Sequence, residues 1–100
     1  MKYQISRQAS RVVLSLSDQL TISDGAEFDA MVPKLLDAGS SSISVNLENL
    51  EYMDSAGLGY LLTLREHADR QHANVTLSKP FGAVKELLEL ARFDTLFPFE

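Results

Sequence analysis

The sequence predicts a single α/β domain with a mostly parallel central sheet, because strand-like and helix-like segments alternate along the chain. Val12, Leu14 and Leu16 occupy alternate positions, which is the pattern of a half-buried strand. Residues 28–36 and 84–91 instead place apolar side chains at helical spacing. We expect about five strands in the order β-β-α-β-α-β-α-β, with the helices packed on the sheet and one domain over residues 1–100.

The first half of the chain predicts two strands, a loop and a helix. The strands cover residues 3–6 and 11–16, with a turn at residues 8–10, and the loop covers residues 17–23. Ser23 or Asp24 caps the helix, since Asp24 and Glu27 have the spacing of a capping box. Pro33 is expected to kink this helix without ending it, because the apolar spacing continues beyond it. Gly39 is a natural C-terminal stop.

The second half of the chain predicts three strands and two helices. Strands cover residues 43–47 and 74–78, and a helix runs between them from about residue 55 to residue 71. Pro80 suits the first turn of the last helix. The chain is expected to close with a short edge strand near Pro98 and Phe99.

Composition excludes several classes of protein. The chain has 100 residues, of which 45% are hydrophobic, so it forms one ordered core rather than a disordered segment. Its net charge is −5 and its nine basic residues are scattered, which disfavours nucleic-acid binding. No apolar run approaches the roughly 20 residues that span a bilayer, so we expect no direct membrane insertion. The absence of cysteine excludes thiolate chemistry and fits a cytoplasmic protein; we expect a monomer when free.

The most informative segment is the run from Asp54 to Gly59, which lies where a predicted strand gives way to a predicted helix. The hydroxyl of Ser55 would stand at a helix N-terminus, where backbone N–H groups lack partners and negative charge is favoured. Such a serine caps the helix, acts as a nucleophile or accepts a phosphate. Capping is the commonest role of an Asp-Ser pair at this position.

Catalysis and metal binding fit the residues poorly. A nucleophile elbow needs glycine two positions before the serine, where this chain has Met53. His67 lies about 18 Å along the helix from Ser55, too far to act as its base. His67 and His72 are five positions apart, which is not the spacing of two ligands on one helical face, and no lysine completes a phosphate-binding loop. We therefore expect no enzyme activity, no metal and no cofactor.

Residues 46–59, Asn-Leu-Glu-Asn-Leu-Glu-Tyr-Met-Asp-Ser-Ala-Gly-Leu-Gly, closely resemble the signature of the STAS domain, found in sulphate transporters and anti-sigma factor antagonists. The predicted order of elements also matches, as do residues 84–88 followed by residues 93–97. One departure is the stretch Asp18-Gln19-Leu20-Thr21, where family members often carry Gly-x-Leu-Asp. Because that loop helps to form the partner surface in the family, the departure bears on the identity of the partner.

The resemblance implies a phosphorylation-controlled binding module, an anti-sigma factor antagonist in a partner-switching pathway. Ser55 would be phosphorylated by an anti-sigma factor serine kinase that binds the unphosphorylated form, and a PP2C-type phosphatase would restore that form. Asp54 would fix the turn, Gly57 and Gly59 would allow close approach of the partner or the sheet, and Leu58 would be a packing or contact residue. The implied partner-binding residues are Asp54, Ser55, Ala56, Gly57, Leu58 and Gly59, with Thr21, Ser23 and Asp24 as weaker candidates. The alternative is a STAS accessory subunit bound to the ATPase of a membrane lipid-transport complex.

Overall fold

A computed structural model describes residues 1–36 and 40–100, and it contains four strands and three α-helices in that part of the chain. The strands are β1 (Lys2–Gln8), β2 (Arg11–Leu20), β3 (Ser42–Met53) and β4 (Asn74–Ser78). The helices are α1 (Gly25–Leu35), α2 (Ser55–Arg70) and α3 (Gly82–Leu90), and short 3-10 turns cover Ile22–Asp24 and Phe93–Thr95. The predicted stop at Gly39 lies outside the described residues.

The sheet is mixed, with the strand order β1-β2-β3-β4. β1 pairs with β2 in the antiparallel sense, whereas β2 with β3 and β3 with β4 are parallel pairs. The predicted fifth strand is wrong, since the C-terminal segment forms a single bridge between Leu77 and Phe99. Phe93 and Phe97 are instead buried and stacked on each other with ring centroids 5.3 Å apart, which draws this segment into the core and away from the sheet.

The two central strands are longer than predicted. Residues 17–20, which the sequence suggests are loop, continue β2 until Leu20 pairs with Met53 at the end of β3. The turn-forming Asp18 is accommodated by a left-handed backbone (φ 73°) beside a shift in the pairing register, which is the geometry of a bulge. Long-range pairing with β3 therefore outweighs the local preference of this segment for a turn.

The start of α1 also differs from the prediction. The Asp24 side chain makes no capping bond to α1; it accepts a hydrogen bond from the backbone N–H of Thr21, one turn earlier (2.8 Å). The capping box thus belongs to the 3-10 turn before α1. Pro33 lies inside α1, as predicted, and the helix continues past it to Leu35.

One hydrophobic core lies between the sheet and the three helices. Each strand and helix with a buried apolar face contributes to it, and its largest fully buried side chains are Leu14, Leu16, Leu20, Phe28, Met31, Leu35, Ile43, Leu47, Leu50, Leu61, Leu64 and Leu77. Leu20 and Leu50 anchor the C-terminal parts of β2 and β3, so the loops that follow these parallel strands emerge from the same edge of the sheet. The candidate site is built on those loops.

Candidate partner-binding site

Ser55 is the first residue of α2, as the sequence predicts, and its side chain is exposed to solvent. β3 ends at Met53, so a single residue, Asp54, separates the strand from the helix. The Ser55 hydroxyl makes no hydrogen bond to another residue in the described ranges 1–36 and 40–100. The hydroxyl is therefore open to solvent at the junction between β3 and α2.

Asp54, and not Ser55, caps α2. Its Oδ1 accepts hydrogen bonds from the backbone N–H groups of Ala56 (3.0 Å) and Gly57 (3.2 Å), two of the donors that a helix N-terminus leaves without partners. Its Oδ2 accepts a third hydrogen bond, from the backbone N–H of Ile22 (3.1 Å). The same carboxylate thus begins the helix and holds the loop that follows β2.

The two glycines of the site have different surroundings. Gly57 is buried, and a Cβ on it would lie 2.4 Å from the Cγ of Met53 and 3.0 Å from the carbonyl oxygen of Leu20. Gly59 is exposed, and a Cβ on it would meet no described atom within 4 Å. The close packing of α2 on the sheet therefore needs Gly57 but not Gly59. Ala56 and Leu58, between them, are half-buried.

The loop between β2 and α1 lies beside the start of α2. Its Thr21 is half-buried and its Ser23 is exposed, with their hydroxyl oxygens 3.0 Å apart. Asp24 is buried and is engaged within the molecule, where it accepts hydrogen bonds from the N-terminal ammonium of Met1 (2.8 Å) and from the Thr21 N–H. The bond to the ammonium is the main reason that the pKa of Asp24 lies below its ordinary value of 3.8, although partial burial opposes the shift.

Sequence reasoning did not single out two residues of this region: Ile22, which lies inside the candidate loop 21–24, and Tyr60. The Ile22 side chain is 77% exposed, while the Tyr60 hydroxyl donates to the Ile22 carbonyl oxygen (3.0 Å) and the Tyr60 ring stacks on Phe28. Desolvation raises the pKa of the Tyr60 hydroxyl, and the charges of Asp54, Asp24 and Asp29 raise it further. An apolar residue among the polar side chains of residues 21–24 was a usable signal for Ile22, but its contacts with Tyr60 depend on the fold.

The histidines lie away from Ser55. α2 is one continuous helix, so His67 stands twelve positions from Ser55 along it, and its Nδ1 lies 2.8 Å from the Thr63 carbonyl oxygen. His67 also borders a groove of about 650 Å³ between α1 and α2, together with Val32, Pro33 and Gln71.

Within residues 1–36 and 40–100, no three acidic or histidine side chains are grouped as metal ligands would be. No described helix has the length and apolar character needed to cross a bilayer.

Comparison with known proteins identifies relatives over nearly the whole chain. The family model described as Mlab, STAS domain, matches residues 3–98. A STAS-domain containing protein of Pseudomonas aeruginosa is 40% identical over 53 residues, which are 53% of this chain and 52% of that relative. This chain therefore aligns with about half the length of that protein.

Solved structures show the same fold at low sequence identity. An anti-sigma factor antagonist from Mycobacterium paratuberculosis superposes with a TM-score of 0.86 at 15% identity, over 98% of this chain and 83% of its own. The anti-sigma factor antagonist SpoIIAA in its unphosphorylated form gives 0.82 at 18% identity, over 99% and 88%. SpoIIAA from Bacillus in its phosphorylated form gives 0.67 at 18% identity, over 99% and 91%.

Proposed function

The chain belongs to the STAS domain family, and from the site that it carries we propose that it is a protein-binding module controlled by phosphorylation of Ser55. In this proposal it is an anti-sigma factor antagonist that binds an anti-sigma factor serine kinase when Ser55 is unphosphorylated, and a PP2C-type phosphatase reverses the modification. The proposal also gives it a cytoplasmic location, because partners of this kind act in the cytoplasm. The observation that carries the proposal is that Ser55 is exposed at the start of α2 while Asp54 does the work of capping.

The contacts of Asp54 indicate how a phosphate on Ser55 would act. A phosphate adds about −1.5 to −2 charge, and a helix N-terminus usually binds it through free backbone N–H groups. Here the N–H groups of Ala56 and Gly57 already bind the Asp54 carboxylate. The phosphate would therefore remain at the surface beside a like charge, where it changes the interface and leaves the fold intact.

The proposal favours binding over catalysis. A hydrolase of the serine type needs a base within hydrogen-bond reach of the nucleophile, and His67 is engaged far along α2 from Ser55. The exposed residues around Ser55 instead include an apolar side chain, Ile22, and an uncrowded helix surface at Gly59. These features suit contact with another protein.

The experiment that tests the proposal compares tagged Ser55→Ala and Ser55→Asp proteins as baits in cells of the source organism. We expect the alanine form to retain a kinase-like anti-sigma factor and the aspartate form to lose it. Because Ser55 is exposed, its replacement should change the free energy of unfolding by no more than about 0.5 kcal/mol. Ser10→Asp is the matched control, since Ser10 is an exposed serine in the turn before β2, at the other end of that strand. A large loss of stability in Ser55→Asp, without loss of stability in Ser10→Asp, would contradict the switch.

A second candidate function is the accessory subunit of a membrane lipid-transport complex, bound to its ATPase. The match of residues 3–98 to the family model described as Mlab, STAS domain, is the observation that favours this candidate. In that case both Ser55 variants should retain the same transporter ATPase, because the serine would have no switching role. The same pair of baits therefore separates the two functions.

A further inference from the structure

Ile22 is an unusual residue for an exposed loop. Its side chain is 77% exposed, yet both polar groups of its backbone are used in long-range hydrogen bonds. The N–H donates to Asp54 at the start of α2, and the carbonyl oxygen accepts from the hydroxyl of Tyr60, one and a half turns further along that helix. The N–H and the carbonyl group of Ile22 are therefore both bonded to residues of α2 or its N-cap, and these two bonds fix the loop at Ile22.

Tyr60, which donates a hydrogen bond to the Ile22 carbonyl oxygen, is itself well packed. The Tyr60 ring stacks on the buried Phe28, with centroids 5.3 Å apart, and its hydroxyl lies 3.0 Å from the position of a Cβ on Gly25. A residue whose backbone is held in place before binding loses little backbone freedom on binding, which lowers the entropic cost of forming an interface. Isolated exposed apolar residues are common and by themselves indicate nothing. Ile22 differs from the others because the carboxylate that holds it also caps the helix of Ser55.

The charges around Ile22 indicate the chemistry of the surface that covers it. The Asp54 carboxylate accepts a hydrogen bond from the Ile22 N–H, Asp24 lies two positions further along the same loop, and Asp29 lies on α1, where its charge helps to raise the pKa of the neighbouring Tyr60 hydroxyl. Asp24 is paired with the N-terminal ammonium, but in the described part of the chain no ion pair involves Asp29 or Asp54. A complementary surface is therefore apolar at its centre and basic at its rim.

We propose that Ile22 is the apolar anchor of the partner interface, and that the partner receives it in an apolar pocket rimmed by basic side chains. The inference rests on the proposed function, because this partner is the protein that binds the surface around Ser55. Asp54 and Tyr60 act as positioning residues for the anchor.

The test measures the affinity of the purified partner, obtained with the Ser55→Ala bait, for Ile22 variants of the full chain. We expect Ile22→Ser to weaken binding roughly tenfold or more, and Ile22→Val, which keeps a branched apolar side chain, to weaken it much less. Leu90→Ser is the matched control, since Leu90 is 82% exposed on α3, and it should bind as the unmodified chain does. The rate at which the partner associates should fall as the salt concentration is raised, because salt screens the attraction between the partner's basic rim and the acidic surface around Ile22. Thermal melting of each variant checks that the fold is retained, and Ile22→Gln provides a second polar variant.

Each other outcome overturns a defined part of the inference. If Ile22→Ser and Ile22→Gln bind as the unmodified chain does while Ser55→Asp fails to bind, the anchor is wrong and the proposed function stands. If the unmodified chain binds no partner through the Ser55 surface, both fall. If sedimentation shows that the unmodified chain is a dimer and that Ile22→Ser is a monomer, the occupant is a second copy and the stated partner is wrong. An association rate that does not depend on salt would overturn the basic rim.

Discussion

At the scale of single residues, the two glycines at the start of α2 have different reasons for being glycine. A side chain at Gly57 would collide with Met53 and approach the backbone of Leu20, whereas a side chain at Gly59 would point into open space. Glycine in an exposed helical position costs about 0.5–1 kcal/mol relative to alanine. The fold therefore bears a cost at Gly59 that no contact within the described residues explains. Close approach of the partner is the reason that the proposed function supplies.

The first residue-scale prediction compares Gly57→Ala with Gly59→Ala. We expect Gly57→Ala to lower the free energy of unfolding by about 1–3 kcal/mol, because Met53 and the α2 backbone must shift to admit a methyl group. We expect Gly59→Ala to raise it by about 0.5–1 kcal/mol. Denaturant unfolding of the two variants and the unmodified chain measures both changes.

Binding of the partner completes this comparison. Gly59→Ala should bind the partner more weakly than the unmodified chain even though it is more stable. A variant that gains stability and keeps full affinity would show that no partner lies close above Gly59.

Sequence reasoning gave Gly57 and Gly59 one shared role, close approach of the partner or the sheet, whereas the structure gives them different surroundings. On α2 the structure buries Gly57, Leu61, Leu64 and Ala68, and it packs the half-buried Leu58 and Leu62 against the edge of the core. A glycine and an alanine carry almost no hydropathy signal, so the pattern of larger side chains hides the face on which α2 packs closest to the sheet. The position of Ser55 did not depend on that face, and it was predicted correctly from the change of strand to helix.

At the scale of elements, Asp54 links three parts of the fold: the end of β3, the start of α2 and the loop after β2. Each carboxylate oxygen has its own task, since Oδ1 caps the helix and Oδ2 holds Ile22. Sequence reasoning predicted that Asp54 fixes the turn. The bond to Ile22 was not predictable, because residues 32 positions apart meet there only through the parallel pairing of β2 with β3.

The element-scale prediction separates the two tasks of Asp54 by comparing Asp54→Asn with Asp54→Ala. Asparagine keeps one oxygen for the cap but turns an NH₂ group toward the Ile22 N–H, whereas alanine removes both interactions. We expect the alanine variant to lose about 1–3 kcal/mol of stability and the asparagine variant to lose less. Native-state hydrogen exchange should show the Ile22 amide losing protection in both variants, and the Ala56 amide losing it in the alanine variant alone.

The exchange pattern can also contradict this assignment. If the Ile22 amide of Asp54→Asn exchanges as slowly as that of the unmodified chain, Oδ2 is not what holds the loop. Under the proposed interface, affinity for the partner should follow the protection of the Ile22 amide, because the proposal gives Asp54 the role of positioning Ile22.

The ends of the strands show why element boundaries were the weakest part of the sequence prediction. Asp18 and its neighbours are typical turn formers, yet they continue β2 because β3 offers hydrogen-bonding partners as far as Met53. The reverse holds at the C-terminus, where Phe97 and Phe99 look like strand residues. Phe97 stacks on Phe93 in the core, so only one bridge, from Phe99 to Leu77, remains of the expected strand. Local preference was overruled by long-range contact in both places.

At the scale of the whole molecule, the site lies at the edge of the sheet where the two central strands end. β2 and β3 are parallel neighbours, so the loop 21–24 and the Asp54–Ser55 turn leave the sheet side by side. Polar loops after consecutive strands of a mostly parallel sheet favour this arrangement, and it could be anticipated from the sequence. The sequence did not predict that the N-terminus lies at this edge of the sheet, where the ammonium of Met1 binds Asp24 in the loop 21–24.

The whole-molecule prediction concerns the pH dependence of stability that this contact creates. The pKa of Asp24 is lowered in the folded protein, chiefly by the Met1 ammonium, so the ionised carboxylate is favoured on folding. Its contribution is therefore complete above the ordinary value of 3.8 and is lost as the pH falls through the lower folded pKa. We expect Asp24→Asn to be less stable than the unmodified chain at neutral pH, and the difference to narrow below pH 3.8. Urea unfolding measured from neutral pH down to about pH 2 follows the two curves.

Two controls assign the pH effect to this ion pair. Acetylation of the N-terminus removes the ammonium and should reproduce much of the Asp24→Asn effect, with little added when both changes are combined, because they break the same contact. Asp29→Asn alters an exposed carboxylate of α1 that forms no ion pair among the described residues, and its stability difference should stay small at every pH. A constant difference between Asp24→Asn and the unmodified chain across the whole pH range would show that folding does not favour the ionised Asp24 carboxylate, and the ion pair with Met1 would then contribute nothing to stability. The loop that carries Ile22 would then owe its position to Asp54 and Tyr60, without help from the N-terminus.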